Sequence, residues 1–192
     1  MDFVSDSHQI TLEVISCYDW RRLRKLRLVA LRESPEAFLA SYDQEKSRTK
    51  DWWLAELARG NWLVAVSGRR LSNFLRKRPL SFLGVTQERD TAARMRTIEY
   101  LWVAPRKRRS GVGLTFIRSI ISCLRSEGVQ TVILAVLDGN EAAMSLYHKV
   151  GFTPDGTPTP LEERPGRTEQ LLRMELTDAV PSDQTRPVIQ QE

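Results

Sequence analysis

The sequence predicts a mixed α/β fold of the α+β type, in which a β-sheet is flanked by helices. Residues 10–14 alternate apolar and polar side chains, as a half-buried strand does. Residues 62–66 and 80–87 are two successive strand-like segments, which indicates an antiparallel pair. From residue 98 onward, strand and helix patterns alternate, which is typical of strands joined by helical crossovers.

The N-terminal part contains three helix signals. Asp19 can cap a helix that begins at Trp20, whose leucines recur at helical spacing. Ser34 followed by a proline and an acid predicts that a new turn begins there. Asp51 is predicted to cap a short helix that runs through Arg59 and ends at Gly60.

The C-terminal part alternates strands and helices. The strand over 98–103 is stopped by Pro105, and the next helix runs to Gly128. The continuous apolar run over 132–137 is typical of a central strand covered on both faces. A short helix over 142–149 and a strand over 170–176 follow. Residues 1–177 are therefore predicted to form one domain, and the polar residues 178–192 a disordered tail.

Composition narrows the classes of function. The chain has 192 residues and a formal net charge of +5, and the cations between residues 68 and 79 account for this excess. Because these cations form a local cluster, small polyanion binding is favoured over nucleic-acid binding, and a solvated basic loop stays open. Two cysteines and two histidines argue against a zinc centre. No apolar run reaches membrane-spanning length and the N-terminus does not resemble a secretory signal, so a cytoplasmic location is expected.

The most informative motif is a basic, glycine-containing turn between a strand and a helix. The turn contains Arg108, Arg109, Ser110, Gly111, Val112 and Gly113. Glycines allow a close backbone approach, and the amides at a helix N-terminus are free donors. The motif therefore predicts a cradle for an anion such as a diphosphate.

Together with neighbouring residues, this turn resembles the GNAT family of N-acetyltransferases. The likeness is carried by residues 101–105, the Arg108-x-x-Gly111-x-Gly113 turn, Asn140, and Tyr147-x-x-x-Gly151-Phe152. It extends over residues 10–176, and residues 26–38 look like a subgroup of small bacterial members. The resemblance implies an enzyme that transfers the acetyl group of acetyl-CoA to an amine, on a sheet that is splayed at its centre.

The resemblance also implies roles for individual residues. Leu101, Trp102 and Val103 lie on the splayed strand, whose backbone would pair with the pantetheine arm. Residues 108–113 would hold the diphosphate, and Asn140 would contact the pantetheine. Tyr147 would face the thioester sulfur as general acid, because a hydroxyl with a pKa near 10 stays protonated at neutral pH.

The chain departs from the family pattern at two positions. Arg109 stands where a glycine often follows the first arginine. Ala135 stands five residues before Asn140, where some members have a glutamate that acts as the general base. Glu99 is the predicted substitute, since strand alternation would place it on the face of Leu101 and Val103. An ion-paired Glu99 and a water chain as base stay open.

The acceptor is harder to predict than the donor. The resemblance implies an acceptor site within residues 31–53, where acids and aromatic rings suit an ammonium group. The candidates are Glu33, Glu36, Tyr42, Asp43, Glu45, Trp52 and Trp53. The acceptor is expected to be a small molecule or a peptide, and dimers are common in the family. The alternatives are an acyl-CoA sensor without turnover and a nucleic-acid-associated protein that uses the basic loop 68–79.

Overall fold

The computed structural model describes residues 10–67, 79–87, 94–162 and 164–176, which form five α-helices, two single-turn 3-10 helices and eight strands. The helices are α1 (Trp20–Glu33), α2 (Tyr42–Lys46), α3 (Lys50–Ala58), α4 (Val112–Ser126) and α5 (Glu141–Val150). The strands are β1 (Ile10–Val14), β2 (Gly60–Ser67), β3 (Pro79–Thr86), β4 (Met95–Val103), β5 (Thr131–Leu137), β6 (Thr153–Pro154), β7 (Thr159–Pro160) and β8 (Thr168–Glu175). The predicted mixed α/β fold is confirmed.

All strands belong to one sheet. Its order is β1-β2-β3-β4-β5-β8-β6, and β7 pairs with β8 outside this path. Strands β4 and β5 are parallel, whereas the other pairs are antiparallel. Helix α4 provides the crossover that a parallel pair requires.

The parallel pair β4–β5 separates after three residues. Met95, Arg96 and Thr97 pair with residues 131–133, and no further pairing of β4 with β5 is found. Beyond Thr97, the residues of β4 that pair have their partners on β3, and β5 continues only with β8. The sheet is therefore splayed at its centre, and the gap opens where both strands end.

Each face of the sheet carries its own apolar cluster. One cluster contains residues of α4 and α5, including Phe116, Ile120 and Tyr147. The other contains residues of α1 and α3, including Leu23, Leu26 and Trp53. Alternation along the strands distributes side chains between the two clusters: in β2, Trp62 and Val64 face α1 and α3, while Ala65 faces α4.

Of two predicted helix caps, one is confirmed and one was wrong. Asp19 caps α1 as predicted, because its carboxylate accepts from the amide of Arg22. Asp51, however, lies in the first turn of α3, and Thr49 is the cap, with its hydroxyl accepting from the amide of Trp52. Threonine at the N-cap with an acid in the first turn satisfies both the free amides and the helix dipole.

Some sequence predictions fall outside the described residues. These include the basic loop over 68–78, the N-terminal residues 1–9 and the tail over 178–192. The parts of the chain that the structure describes contain no helix both long and apolar enough to cross a bilayer.

Candidate active site

The carboxyl ends of β4 and β5 lie at the same edge of the sheet, beside the gap between them. Strand β4 leads into the turn at residues 108–113, and β5 leads into the loop that precedes α5. Ligands of open α/β sheets bind in such crevices at the carboxyl ends of parallel strands. The predicted anion cradle and Asn140 therefore face the same opening.

The turn presents a series of free amides. Gly111 caps α4 in a left-handed conformation, with φ +85°. Thr115 donates to the carbonyl of Gly111, and the amides of residues 109–114 have no backbone acceptor among the described residues. Free amides at a helix start, together with the helix dipole, stabilise a bound anion.

Gly113 is required for close packing beneath the cradle. A Cβ atom placed on it would lie 3.2 Å from Val103 Cγ2 and 3.5 Å from Leu146 Cδ2. The start of α4 thus meets the end of β4 and the middle of α5 at this residue. A larger side chain would push these three elements apart and move the amides.

The two arginines of the turn have different environments. Arg108 donates to the Val103 carbonyl at 3.1 Å and to Ser34 Oγ at 2.8 Å, so it joins the turn to the end of α1. Its predicted phosphate contact stays a prediction. Arg109 has φ +57°, a left-handed conformation that favours glycine. The departure from the family pattern at this position therefore places an arginine in a strained backbone.

A β-bulge alters the course of β4 ahead of Leu101. Phe82 pairs with Trp102 and Gly84 pairs with Glu99, so two residues of β4, Tyr100 and Leu101, lie opposite one residue of β3. Tyr100 has φ +61°, which is unusual for a non-glycine residue. Leu101 is partly buried against the α4–α5 cluster, as is Val103, and Trp102 is buried in the other cluster.

The prediction that Glu99 lies on the same face of β4 as Leu101 and Val103 was wrong, because the bulge intervenes. Glu99 pairs with Gly84, whose Cβ would point at the Trp62 ring on the α1–α3 side of the sheet. Paired residues of antiparallel strands share a face, so Glu99 lies on the α1–α3 side. Leu101 and Val103 lie on the opposite side. The extra residue breaks the alternation on which the sequence argument depended.

Glu99 belongs to a charged group at the end of α3. Arg59 donates to Glu56 Oε1 at 2.8 Å and to Glu99 Oε1 at 3.1 Å. The other carboxylate oxygen of Glu99, Oε2, is buried and has no hydrogen-bond partner among the described residues. Burial raises the pKa of Glu56, an effect that Arg59 partly offsets. Arg59 therefore binds both carboxylates, and Glu99 Oε2 is a buried oxygen without a hydrogen-bond partner among the described residues.

Two groups stack against the ring of Tyr100, whose backbone is strained. The Trp62 ring lies 5.3 Å away and nearly parallel, and the Arg27 guanidinium lies 4.0 Å from the ring centre. Arg27 also pairs with Glu45 through two hydrogen bonds in the interior. A cation placed on a buried ring stabilises this arrangement, typically by about 2 kcal/mol.

Two of the predicted acceptor residues are unavailable for that role. Glu45 is buried and paired with Arg27, and Trp53 is fully buried in the α1–α3 cluster. Glu33, Glu36 and Asp43 are exposed. The sequence signal missed the Arg27–Glu45 pair because the two residues belong to different helices.

Tyr147 lies on α5 and is buried in the α4–α5 cluster, against which Leu101 and Val103 pack. Its ring meets Phe152 edge to face at 5.6 Å. No hydrogen-bond partner for its hydroxyl is found within the described ranges. Burial raises the pKa of Tyr147 well above its usual range, so the hydroxyl stays protonated.

Asn140 begins α5 as its N-cap. Its side-chain oxygen accepts from the amide of Ala143 at 3.2 Å, which confirms the capping role; the pantetheine contact stays a prediction. The loop before it is held by Arg167, which donates to the Asp138 carboxylate at 2.6 Å and to its carbonyl at 2.9 Å. The Arg167 hydrogen bond holds the pKa of Asp138 below its usual range.

Unsatisfied polar atoms concentrate on one face. Five buried side-chain atoms in the described residues lack a hydrogen-bond partner: Arg27 Nη1, Trp53 Nε1, Thr86 Oγ1, Glu99 Oε2 and Trp102 Nε1. All five belong to side chains on the α1–α3 side of the sheet. Such atoms are uncommon in native interiors, and an explanation such as a bound ligand or ordered water is expected for them.

Comparison with known families agrees with this geometry. Residues 21–152 match the model of the acetyltransferase (GNAT) family. An L-methionine sulfoximine/L-methionine sulfone acetyltransferase from Pseudomonas aeruginosa is 27% identical over 81 residues, which are 42% of this chain and 47% of that protein. The chain thus spans about half the length of this curated relative.

Solved structures share the fold. An acetyltransferase of the GNAT family from Streptococcus pneumoniae superimposes with a TM-score of 0.67 at 17% identity, covering 87% of this chain and 99% of that one. The spermidine N-acetyltransferase from Vibrio cholerae, solved with CoA and spermine, gives a TM-score of 0.66 at 16% identity, covering 88% and 96%. At these identities the likeness shows the fold alone.

Proposed function

Because the chain belongs to the acetyltransferase (GNAT) family, we propose that it transfers the acetyl group of acetyl-CoA to a primary amine of a small molecule or a peptide. The observation that carries this proposal is the gap between β4 and β5, which opens beside six consecutive free amides. The chemistry of acetyl-CoA suits both the gap and the amides. A diphosphate fits the amides, and an extended pantetheine arm fits an unpaired strand edge. We propose the cytoplasm as the compartment.

The donor would be bound mainly by backbone groups. Residues 108–113 would receive the diphosphate, and a Cβ atom on Gly113 would lie only 3.2 Å from Val103 Cγ2, so a larger side chain there would disturb the packing beneath the cradle. Strand residues Leu101, Trp102 and Val103 would pair with the pantetheine amides through the edge that β5 leaves free. An amide of this segment would also polarise the thioester carbonyl.

The reaction needs a neutral amine and a stabilised leaving group. The amine nitrogen attacks the carbonyl carbon, the carbon–sulfur bond breaks, and the CoA thiolate takes up a proton while the amine loses one. Tyr147 is suited to the thiolate because burial keeps its hydroxyl protonated. Since its pKa lies above the roughly 8.5 of a thiol, the hydroxyl would act mainly as a hydrogen-bond donor to the developing thiolate.

Glu99 is our proposed base, on revised grounds. It lies on the α1–α3 side of the sheet, where the family likeness implies the acceptor, rather than on the face of Leu101. Its Oε1 accepts from Arg59, and its Oε2 has no partner among the described residues. An amine entering from that side would find a carboxylate oxygen free to take a proton. The exposed methyl of Ala135 on β5 offers no such group.

Turnover of acetyl-CoA tests the function directly. Thiol release is followed with a panel that includes polyamines, amino acids and short peptides, and each active amine is checked for the acetylated product by mass spectrometry. Transfer to at least one amine supports the proposal. CoA binding without transfer to any amine, across several acceptor classes, would instead support a sensor that binds acyl-CoA without turnover.

A further inference from the structure

A groove of about 580 Å³ follows the outer face of α1. The inner face of this helix carries its buried residues, among them Leu23, Leu26 and Leu31. The groove lies on the opposite side, with Leu28 and Val29 among its apolar lining residues. Val29 is 38% exposed. The apolar floor of the groove is therefore open to solvent.

The rim of the groove is strongly basic. Four cations line it, and Glu33 is its one carboxylate; the cations are Arg21, Arg24, Lys25 and Arg32. None of these four has a carboxylate within 4.0 Å among the described residues. Other arginines of the same helix are paired: Arg22 lies 2.6 Å from Glu13, and Arg27 pairs with Glu45.

Two of the rim cations rest on aromatic rings. The Arg21 guanidinium lies 4.7 Å from the centre of the Trp20 ring, and that of Arg32 lies 4.5 Å from the Tyr42 ring. Stacking of this kind orders a guanidinium without neutralising its charge. It also covers a face of each ring, which a nucleic-acid base would need for stacking.

We propose that this groove binds an acidic peptide segment that also carries apolar side chains. Four cations without carboxylate partners favour an acidic occupant, and the aliphatic floor at Leu28 and Val29 favours apolar side chains over a phosphodiester backbone. The groove extends to Glu33 at the end of α1, and Ser34, the next residue, accepts a hydrogen bond from Arg108 of the donor cradle. The groove therefore ends one residue before Ser34, which contacts the predicted donor cradle, although the binding itself does not depend on acetyl transfer.

Fluorescence anisotropy with a labelled peptide tests this proposal. The probe is a short synthetic peptide that combines glutamates with leucine and phenylalanine, and its matched controls replace the glutamates by lysines or the apolar residues by serines. The wild-type protein is expected to bind the probe at least about tenfold more tightly than either control, since charge and apolar contact both contribute.

Variants locate the binding. The double substitution Arg21→Glu and Lys25→Glu is expected to weaken binding of the probe about tenfold, and Val29→Ser about threefold, because one reverses the rim charge and the other removes apolar floor. The matched control Arg118→Glu with Lys149→Glu makes the same change in net charge on exposed residues of α4 and α5 and should leave binding within about twofold. Thermal unfolding verifies that each variant is folded.

Several results would overturn the proposal. If the lysine peptide bound as tightly as the probe, negative charge would not be required. If the serine peptide did so, apolar side chains would not be required. If the groove variants bound the probe as tightly as the wild type, the peptide would bind elsewhere. Tighter binding of a single-stranded oligonucleotide or of phosphatidylglycerol vesicles, lost in the same groove variants, would assign the groove to a different class of partner.

Discussion

The two faces of the central sheet differ in how they use polar groups. On the α4–α5 side, an apolar cluster surrounds the single tyrosine hydroxyl of Tyr147, and the backbone amides of residues 109–114 stand at its edge. On the α1–α3 side, the Arg27–Glu45 ion pair is buried, the Arg59–Glu99 pair is partly exposed, and five buried side-chain atoms have no hydrogen-bond partner among the described residues. One side offers a row of backbone donors, the other a set of charged side chains.

This difference matches the two halves of the proposed reaction. The donor is constant, so backbone groups positioned by glycine and by a helix start suffice to bind it. The acceptor differs between relatives, and recognising it requires side chains that can be changed without altering the fold. We therefore expect substitutions on the α4–α5 side to affect donor binding and thiolate release, and those on the α1–α3 side to affect acceptor chemistry.

Replacement of Tyr147 by phenylalanine should have the largest effect. We expect kcat to fall about 100-fold with little change in CoA affinity, because the thiolate loses a hydrogen-bond donor while the packing on Phe152 is retained. Single-turnover kinetics and calorimetry separate the two quantities. A kcat equal to that of the wild type would remove Tyr147 from the mechanism.

The same variant has a consequence for stability. The folded-state pKa of Tyr147 is raised, so its contribution to stability is present below its unfolded pKa of about 10 and is lost as the pH rises above that value. The alkaline decrease in Tm should therefore be smaller in Tyr147→Phe than in the wild type.

Glu99→Gln should affect the acceptor half. We expect kcat/KM to fall by about 30-fold, since the amide cannot accept the proton of the amine. Glu56→Gln is the matched control, because Glu56 binds the same Arg59 and is buried, whereas Glu99 is partly buried. If both substitutions reduced kcat/KM equally, the two glutamates would have only a structural role around Arg59.

Alanine substitutions at two glycines separate the loss of the anion cradle from the general effect of backbone strain. Gly111 and Gly128 both have positive φ, and a Cβ on either would meet no atom within 4 Å. Each alanine substitution should lower stability by about 1 kcal/mol, a decrease in Tm of about 2–4 °C. Only Gly111→Ala should also weaken CoA binding, severalfold, because it displaces the cradle amides. Equal CoA affinity in both variants would contradict the assignment of the cradle.

Arg109→Gly should have the smallest effect, and it should be stabilising. Glycine adopts φ +57° without the strain that arginine carries there, so a gain of about 0.5 kcal/mol is expected after the entropy cost of glycine. A rise in Tm with unchanged CoA affinity would mean that Arg109 faces solvent. A rise in Tm with weaker CoA binding would mean that its side chain contacts phosphate, and a lower Tm would refute the strain argument.

The sequence predicted local features, such as caps and turns, better than contacts between distant elements, for a physical reason. The signals at Asp19, Gly111 and Asn140 are local, because caps and turns depend on residues within a few positions. The face of Glu99 depends on the bulge at Tyr100 and Leu101, and no local pattern shows that bulge. The bond from Arg108 to Ser34 spans 74 positions and was likewise invisible.

Calorimetric titration of CoA into the wild type and into Gly113→Val most directly tests the central claim that the donor binds at the gap between β4 and β5. The account predicts saturable one-to-one binding to the wild type and at least about tenfold weaker binding to the variant, whose side chain would collide with Val103 and Leu146. Pantetheine, which lacks the diphosphate, should bind both proteins weakly. An absence of heat and of thermal protection by CoA in the wild type, or equal affinity in a folded Gly113→Val, would contradict the account.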